Sequence, residues 1–265
     1  PLWLAPSAGE PNRRPNIASR TAEHFGRALG LAYEDGILHS EQKSFGREFR
    51  RSKAKELGLC DAPWDGRGDL EQTFGPRDLF DYIYAVLHSP SYRSRYAEFL
   101  KSDFPRIPTP RARATFATLT TLGQLLVGLH LLRSEEVPIL KSPDVRFSGT
   151  GDARVENGYP AYKNGKVMIN ASCWFEDITP DVWNFHIGGY QVCEKWLKDR
   201  AGKRGKKPSP GRVLSPDDVL HYRRITVALR ETIRLMAEID QVIDRHGGWP
   251  DAFVAASGNK AEAAQ

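Results

Sequence analysis

Val155-Glu156-Asn157-Gly158-Tyr159-Pro160-Ala161-Tyr162-Lys163-Asn164-Gly165-Lys166-Val167-Met168-Ile169-Asn170-Ala171-Ser172-Cys173-Trp174-Phe175 is the stretch from which the fold is read. Asn164-Gly165 is the strongest short hairpin signal, because both central residues of the tightest hairpin turn must accept a positive φ. The pair joins an arm over Val155–Tyr162 to an arm over Lys166–Phe175. The second arm is rich in Val, Met, Ile, Trp and Phe, which suit a pleated, half-buried surface. Further on, Val182–Ile187 alternates apolar and polar residues and reads as a short strand, broken by Gly188-Gly189. Tyr190–Arg200 then reads as a helix, with Val192, Trp196 and Leu197 on one face and Glu194, Lys195, Lys198 and Asp199 on the other. Gly149 to Arg200 is thus hairpin, strand, tight turn and helix.

The flanks are mostly helical. Leu2-Trp3-Leu4 reads as an edge strand. Asn16 is placed to cap a helix that runs to Leu29 and stops at Gly30. Residues 33–73 are charged and Gly-rich without a clean period and read as a long loop, with a short helix over Glu48–Glu56. Pro76 opens a helix whose stripe is Leu79, Tyr82, Ile83, Val86 and Leu87. Ser89-Pro90 interrupts it, and Tyr92–Leu100 resumes. The prolines of Phe104–Pro110 exclude a helix there. Arg111–Arg133 is a long apolar helix, and Val137–Phe147 reads as extended. Ser215-Pro216-Asp217-Asp218 opens a last long helix with a cap, a first-turn proline and acids at the positive end of the dipole. Its stripe holds to about Asp244. The fold expected is α+β, with long helices packed around a small, mainly antiparallel sheet. One domain is expected over 1–250, with helical parts at 16–29, 76–133 and 215–244, a β-hairpin module at 137–200 and a disordered tail at 251–265.

The chain has 265 residues, 40% of them hydrophobic, and a net charge of +5 with a pI near 9.1. That is enough chain for a large core, and a mildly basic surface permits a nucleic-acid partner. Cys60, Cys173 and Cys193 form no CxxC pair, which suits a reducing, cytoplasmic setting, and no apolar run reaches membrane-spanning length. Motifs for catalysis are missing. There is no Asn-Pro-Pro-Tyr turn for methyl transfer to an amino group, no Gly-x-x-x-x-Gly-Lys-Ser/Thr loop and no Gly-x-Ser-x-Gly elbow. Phe147–Asp152 is glycine-rich but feeds a strand rather than a helix, so it reads as a turn. Asp177, Asp181 and Asp199 are too dispersed for a metal nuclease, and His88, His130 and His186 read as structural or surface residues. Cys173 and Cys193 read as buried small hydrophobes. No catalytic residue, metal ligand or cofactor is therefore assigned to this chain.

Several blocks resemble one family. Phe185-His186-Ile187-Gly188-Gly189-Tyr190-Gln191-Val192-Cys193-Glu194-Lys195-Trp196-Leu197-Lys198-Asp199-Arg200 is similar to the C-terminal specificity domain of type ISP restriction–modification enzymes. So are Phe80–Pro90, Asp103–Pro108 and Thr232–Asp240, in the same order. The resemblance implies a target-recognition domain that reads a short, asymmetric site in double-stranded DNA. It also implies a parent polypeptide whose methyltransferase domain methylates an adenine with S-adenosylmethionine. Translocation and endonuclease cleavage, driven by ATP and Mg, would belong to other parts of that parent, in the service of phage defence. The basic stretch from Ala201 to Arg212 is longer than the resemblance suggests, and residues 36–69 are hard to align.

A DNA-binding surface needs cations for phosphates and exposed polar groups for base edges. The phosphate candidates are Lys195, Lys198, Arg200, Lys203, Arg204, Lys206 and Lys207. The Gly188-Gly189 break reads either as a tight strand-to-helix turn or as a phosphate-binding helix start. The base-reading candidates are Arg146, Thr150 and Arg154 before the hairpin, and Lys163, Asn164, Lys166 and Asn170 on it. Two other readings stand beside this one: a structural coupler that docks on the methyltransferase without reading bases, and a small enzyme of unrecognised chemistry.

Overall fold

The computed structural model describes residues 3–4, 14–34, 66–205 and 208–254. The expected helix over Glu48–Glu56, together with Cys60, Lys206, Lys207 and residues 255–265, lies outside the described residues. The fold is α+β, and the chain divides into two compact units: residues 1–127 with 235–265, and residues 128–234.

The first unit is helical. A short antiparallel pair, β1 (Trp3–Leu4) with β2 (Arg14–Pro15), precedes α1 (Ser19–Leu29). Ala18, not Asn16, stands at the N-cap of α1, while Gly30 ends the helix in the left-handed region as expected. A parallel pair, β3 (Ala32–Tyr33) with β4 (Thr73–Phe74), follows. Then come α2 (Pro76–His88), α3 (Pro90–Arg95), α4 (Ala97–Ser102) and α5 (Arg113–His130), the last reaching the second unit. The stripes read from the sequence meet in an aromatic core. The Phe25 ring lies 5.7 Å from Tyr82 and 6.2 Å from Phe116, and Phe74 lies 5.8 Å from Phe116. A Cβ on Gly123 of α5 would fall 1.8 Å from the Asp81 carbonyl oxygen, so α5 and α2 approach backbone to backbone.

Beneath α2 the buried Arg67 bridges two buried carboxylates, Asp78 at 3.3 Å and Asp81 at 2.5 Å. Burial pushes the Asp81 carboxyl up to about 6, outweighing the pull of the Arg67 guanidinium. Asp240, in the last helix, accepts hydrogen bonds from Ser89 Oγ and from Ser91 Oγ and N–H, tying the chain's end to the α2–α3 junction. Phe253, placed in the tail by the sequence reading, is instead buried and bridges to Pro110.

The second unit holds the sheet. After a 3-10 turn at Pro138–Leu140 come β5 (Arg146–Gly149), β6 (Ala161–Lys163), β7 (Lys166–Met168) and β8 (Cys173–Glu176), all antiparallel in the order β5-β8-β7-β6. The long hairpin read from the sequence is thus three strands, β6, β7 and β8, and β5 from the segment before it completes the sheet. Its first arm shortens to three residues because Val155 leaves the ladder: Val155 N–H donates to Arg212 O, and Val155 O accepts from Gly202 N–H. Its second arm breaks at Asn170. One sheet face, with Val167, Cys173 and Phe175, is buried, and Phe175 packs 4.4 Å from Tyr222.

Val182–Ile187 is not a strand. Thr179-Pro180 starts the short helix α6 (Pro180–Trp183), since proline suits a first helical turn. Only His186–Ile187 (β9) is extended, and it pairs with Tyr190–Gln191 (β10). Gly188-Gly189 is therefore a two-residue hairpin turn, not a strand-to-helix turn. Helix α7 (Val192–Lys198) begins two residues later than expected, and α8 (Pro216–Arg245) closes the described elements. The Ser215 cap is present: Asp218 N–H donates to Ser215 Oγ at 3.1 Å, and Ser215 N–H returns a bond to the Asp218 carboxylate at 3.1 Å.

Candidate nucleic-acid interface

Period two places one set of side chains on the outward face of the sheet. The register pairs Arg146 with Glu176, Ser148 with Trp174, Met168 with Trp174, and Lys163 with Lys166. Asn164 and Gly165 take φ of 49° and 77°, the two positive values the turn demands. Lys163 and Asn164 are exposed at its tip.

Glu176 organises this face. It accepts a hydrogen bond from Trp174 Nε1 at 2.5 Å and pairs with Arg146 at 3.1 Å and Lys166 at 3.6 Å. The Trp174 hydrogen bond, with Lys166 and Arg146 beside it, holds the Glu176 carboxyl below the usual carboxylate range. Lys166 Nζ lies 4.4 Å from the centroid of the Trp174 ring. Arg146 also reaches Asp177 at 2.9 Å, and that bond raises its own pKa further. The result is a platform with an aromatic centre, cations at both sides and two carboxylate acceptors, Glu176 and Asp177. The cations of these pairs are exposed, Arg146 to 67% and Lys166 to 44%, and ion pairs at the surface contribute little to stability, so the cations exchange at small cost for phosphates or base edges. Sequence reading assigned neither Trp174 nor Glu176. The signal was available, since alternation along Cys173-Trp174-Phe175-Glu176 sends them to the face opposite Cys173 and Phe175.

The other base-reading candidates separate. Thr150 is exposed just after β5, with its N–H bonded to Ser172 O at 3.2 Å. Arg154 is half-buried, held by Asp152 at 3.0 Å and by Gly211 O at 3.0 Å. Asn170 is not on an exposed edge; it is 3% exposed. Its Nδ2 donates to Asp152 O and Arg154 O, both at 2.9 Å. Its Oδ1 accepts from Ser172 N–H at 2.8 Å, Ser172 Oγ at 3.1 Å and Cys173 N–H at 2.7 Å. A side chain so engaged is a backbone brace.

The phosphate candidates on α7 and just after it have partners close by in the chain. Lys195 pairs with Asp199 at 2.5 Å and Lys198 with Glu194 at 2.9 Å. Arg200 packs 3.5 Å from the Trp196 centroid and donates to Trp196 O at 2.9 Å. Lys203 and Arg204 are exposed, and the Lys203 backbone bonds to Ser209 in both directions at 2.9 Å. Arg200, Lys203 and Arg212, the last unassigned from sequence, line one open cavity of about 450 Å³.

Two of the histidines are spent structurally: His88 Nδ1 lies 2.7 Å from Tyr84 O and His130 Nε2 3.0 Å from Thr232 Oγ1. Cys173 and Cys193 are buried and free, and burial pushes the Cys193 thiol up to about 12. Among the described residues no cluster of His, Cys, Asp and Glu could hold a metal ion, and no helix is long and apolar enough to cross a membrane.

Residues 1–238 match the family model of the Type ISP C-terminal specificity domain. None of the curated proteins matches the chain. Among solved structures, the DrdV–DNA complex is similar at 22% identity and a TM-score of 0.50, over 63% of this chain and 18% of that one. A nuclease-deletion mutant of the Type ISP restriction-modification enzyme LlaGI, in complex with a DNA substrate mimic, is 23% identical, with a TM-score of 0.46 over 63% of this chain and 14% of that one. The ATP-dependent Type ISP enzyme LlaBIII bound to DNA is 19% identical, with a TM-score of 0.49 over 63% of this chain and 11% of that one. The chain thus spans less than a fifth of the length of each.

Proposed function

The chain belongs to the Type ISP C-terminal specificity domain family, and from that premise we propose that it reads the DNA target of a restriction–modification enzyme. The partner is double-stranded DNA. The observation that carries the reading is the outward sheet face, where Arg146, Lys163 and Lys166 flank Trp174 around Glu176. Arg and Lys pair with guanine O6 and N7, a carboxylate accepts from the cytosine amino group, and exposed Asn164 suits adenine. Thr150 and Arg154 border the same sheet. Lys203, Arg204, Lys206 and Lys207 supply phosphate contacts, joined by Lys195 and Lys198, whose exposed ion pairs can exchange for phosphates as those of Arg146 and Lys166 can, while Arg200 is packed against Trp196.

In this reading the chain catalyses nothing alone. A methyltransferase domain of the same parent polypeptide modifies adenine with S-adenosylmethionine, and ATP and Mg serve its motor and nuclease, all in the cytoplasm. Fluorescence anisotropy of labelled duplex, titrated with salt, tests the proposal. A reader binds with a steep salt slope, close to 0.9 for each phosphate neutralised, and prefers some duplexes over others. Absence of duplex binding at low salt refutes it.

A further inference from the structure

The β9–β10 hairpin is a finger fixed at its base and exposed at its tip. Its base is fixed: Gln191 Nε2 donates to Trp183 O at 2.5 Å, His186 Nδ1 lies 2.6 Å from Asn184 O, and Val192 N–H donates to Phe185 O at 3.3 Å. Its tip stands out from the fold. Ile187 and Tyr190, directly opposed across the ladder, are 55% and 64% exposed. Exposing an apolar pair on a braced two-residue turn gains nothing for the chain itself.

The two glycines sharpen the point. Gly188 has φ 59°, so its turn conformation accounts for it. Gly189 lies outside the positive-φ region, and a Cβ built on it would meet no atom of the described residues within 4 Å. Among the described residues, neither backbone strain nor internal packing excludes a side chain at 189. What a glycine there does provide is room for an outside body to close directly on the backbone.

The surroundings say which body. Trp183, at the base of the finger, stacks 5.4 Å from Tyr162 of β6, which pairs with buried Val167 on the sheet face opposite Lys163, so the finger rises from the same sheet that carries the proposed reading face. Lys195 Nζ lies 5.8 Å from the Tyr190 ring, placing a cation beside the apolar tip. A tip of a few residues is too small to anchor a protein, since a stable interface takes about 20–30 residues on each side. It does suit a nucleic-acid groove, where one or two apolar side chains press on the bases while cations elsewhere hold the phosphates.

We propose that the hairpin His186–Gln191 is a groove-entering finger, with Tyr190 and Ile187 making apolar contact with the bases or sugars and Gly189 letting the backbone close on the DNA. This rests on the DNA-reading function proposed above. The finger supplies a part of the affinity that salt does not screen.

The test uses the full 265-residue chain and a labelled duplex that the wild-type chain itself has selected from a randomised library. Gly189→Ala and Tyr190→Ala should each weaken binding about tenfold, equivalent to about 1.4 kcal/mol, with the slope against salt and the melting temperature unchanged. Tyr190→Phe should bind within about twofold of wild type, because the ring rather than the hydroxyl makes the contact. Gly189→Ala meets no clash among the described residues, and an unchanged melting temperature separates weaker binding from misfolding. If both alanine variants bind like wild type, or if the salt slope falls as it does when a phosphate is no longer neutralised, the finger is not a groove reader. If the wild-type chain selects and binds no duplex at all, the DNA-reading function itself fails, and this inference falls with it.

Discussion

Asn170→Ala separates what the sequence suggests from what the fold requires. As an exposed hairpin residue, Asn170 should on substitution lose base preference and leave stability alone. In the structure the substitution strips Nδ2 from the carbonyls of Asp152 and Arg154, and Oδ1 from the N–H groups of Ser172 and Cys173 and from Ser172 Oγ. Each net hydrogen bond is worth about 1 kcal/mol, and a buried group left without a partner costs about 1–3 kcal/mol. Ser172 and Arg154 are half-buried and Asp152 is exposed, so water can replace part of what they forfeit. The sum for the groups that stay dry is about 3–4 kcal/mol. For a chain of this size, roughly 2–4 °C of melting temperature per kcal/mol gives a fall of about 6–16 °C. Differential scanning calorimetry, supported by near-ultraviolet circular dichroism of the unit that holds Trp174, reads the change. An unchanged melting temperature, with altered base preference, would falsify the brace and restore the sequence reading.

Other consequences follow from the same structure. Burial raises the Asp81 carboxyl to about 6 in the folded chain, from an ordinary value of 3.8, so the folded chain holds a proton that the unfolded chain has released between those values. Its contribution to stability is fully present below about pH 4 and is lost as pH rises through about 6, by roughly 3 kcal/mol. Urea titrations from about pH 4 to 7 should show that slope in wild type and none of it in Asp81→Asn, whatever the variant's absolute stability. Ser215→Ala removes one half of a reciprocal cap and should cost about 1 kcal/mol in urea midpoint analysis; no cost would mean that the α8 start is held by packing alone. Replacing Lys203, Arg204, Lys206 and Lys207 with Ala should weaken all duplexes alike and lower the salt slope by roughly one unit for each phosphate no longer neutralised. An unchanged slope would make the loop merely solvated.

Legibility varied along the chain for physical reasons. Helices α2, α5 and α8 were plain because local chemistry and tertiary burial agree there. Pro76 and Ser215-Pro216 start two of them, and most of their stripe residues end up buried, Leu79, Tyr82 and Val86 in α2 and Tyr222, Leu229, Ile239 and Ile243 in α8 among them. The Asn164-Gly165 turn was plain for a similar reason, since few other residues accept both its dihedrals. Val182–Ile187 misled because alternation over so few residues is ambiguous, and Pro180 tips its first part into a helical turn. Val155 misled because its hydrogen-bond partners, Gly202 and Arg212, lie far along the chain. Asn170 misled because a polar residue in an apolar run looks exposed until its backbone partners are known. Within the candidate site, the cations were legible by type, but charge alone did not separate Arg146 and Lys166, on the sheet face, from Lys195 and Lys198, paired inside α7.

The most direct test of the central claim is selection of duplexes by this chain from a randomised library, followed by sequencing, for wild type and for an Arg146→Ala, Lys163→Ala, Lys166→Ala triple variant. Wild type should enrich one short, asymmetric sequence. The variant should keep its melting temperature and non-specific affinity but lose preference at the base pairs those side chains read, by about 1–3 kcal/mol for each good contact. Enrichment of no sequence by the wild-type chain, or of the same sequence equally by the variant, would contradict the account.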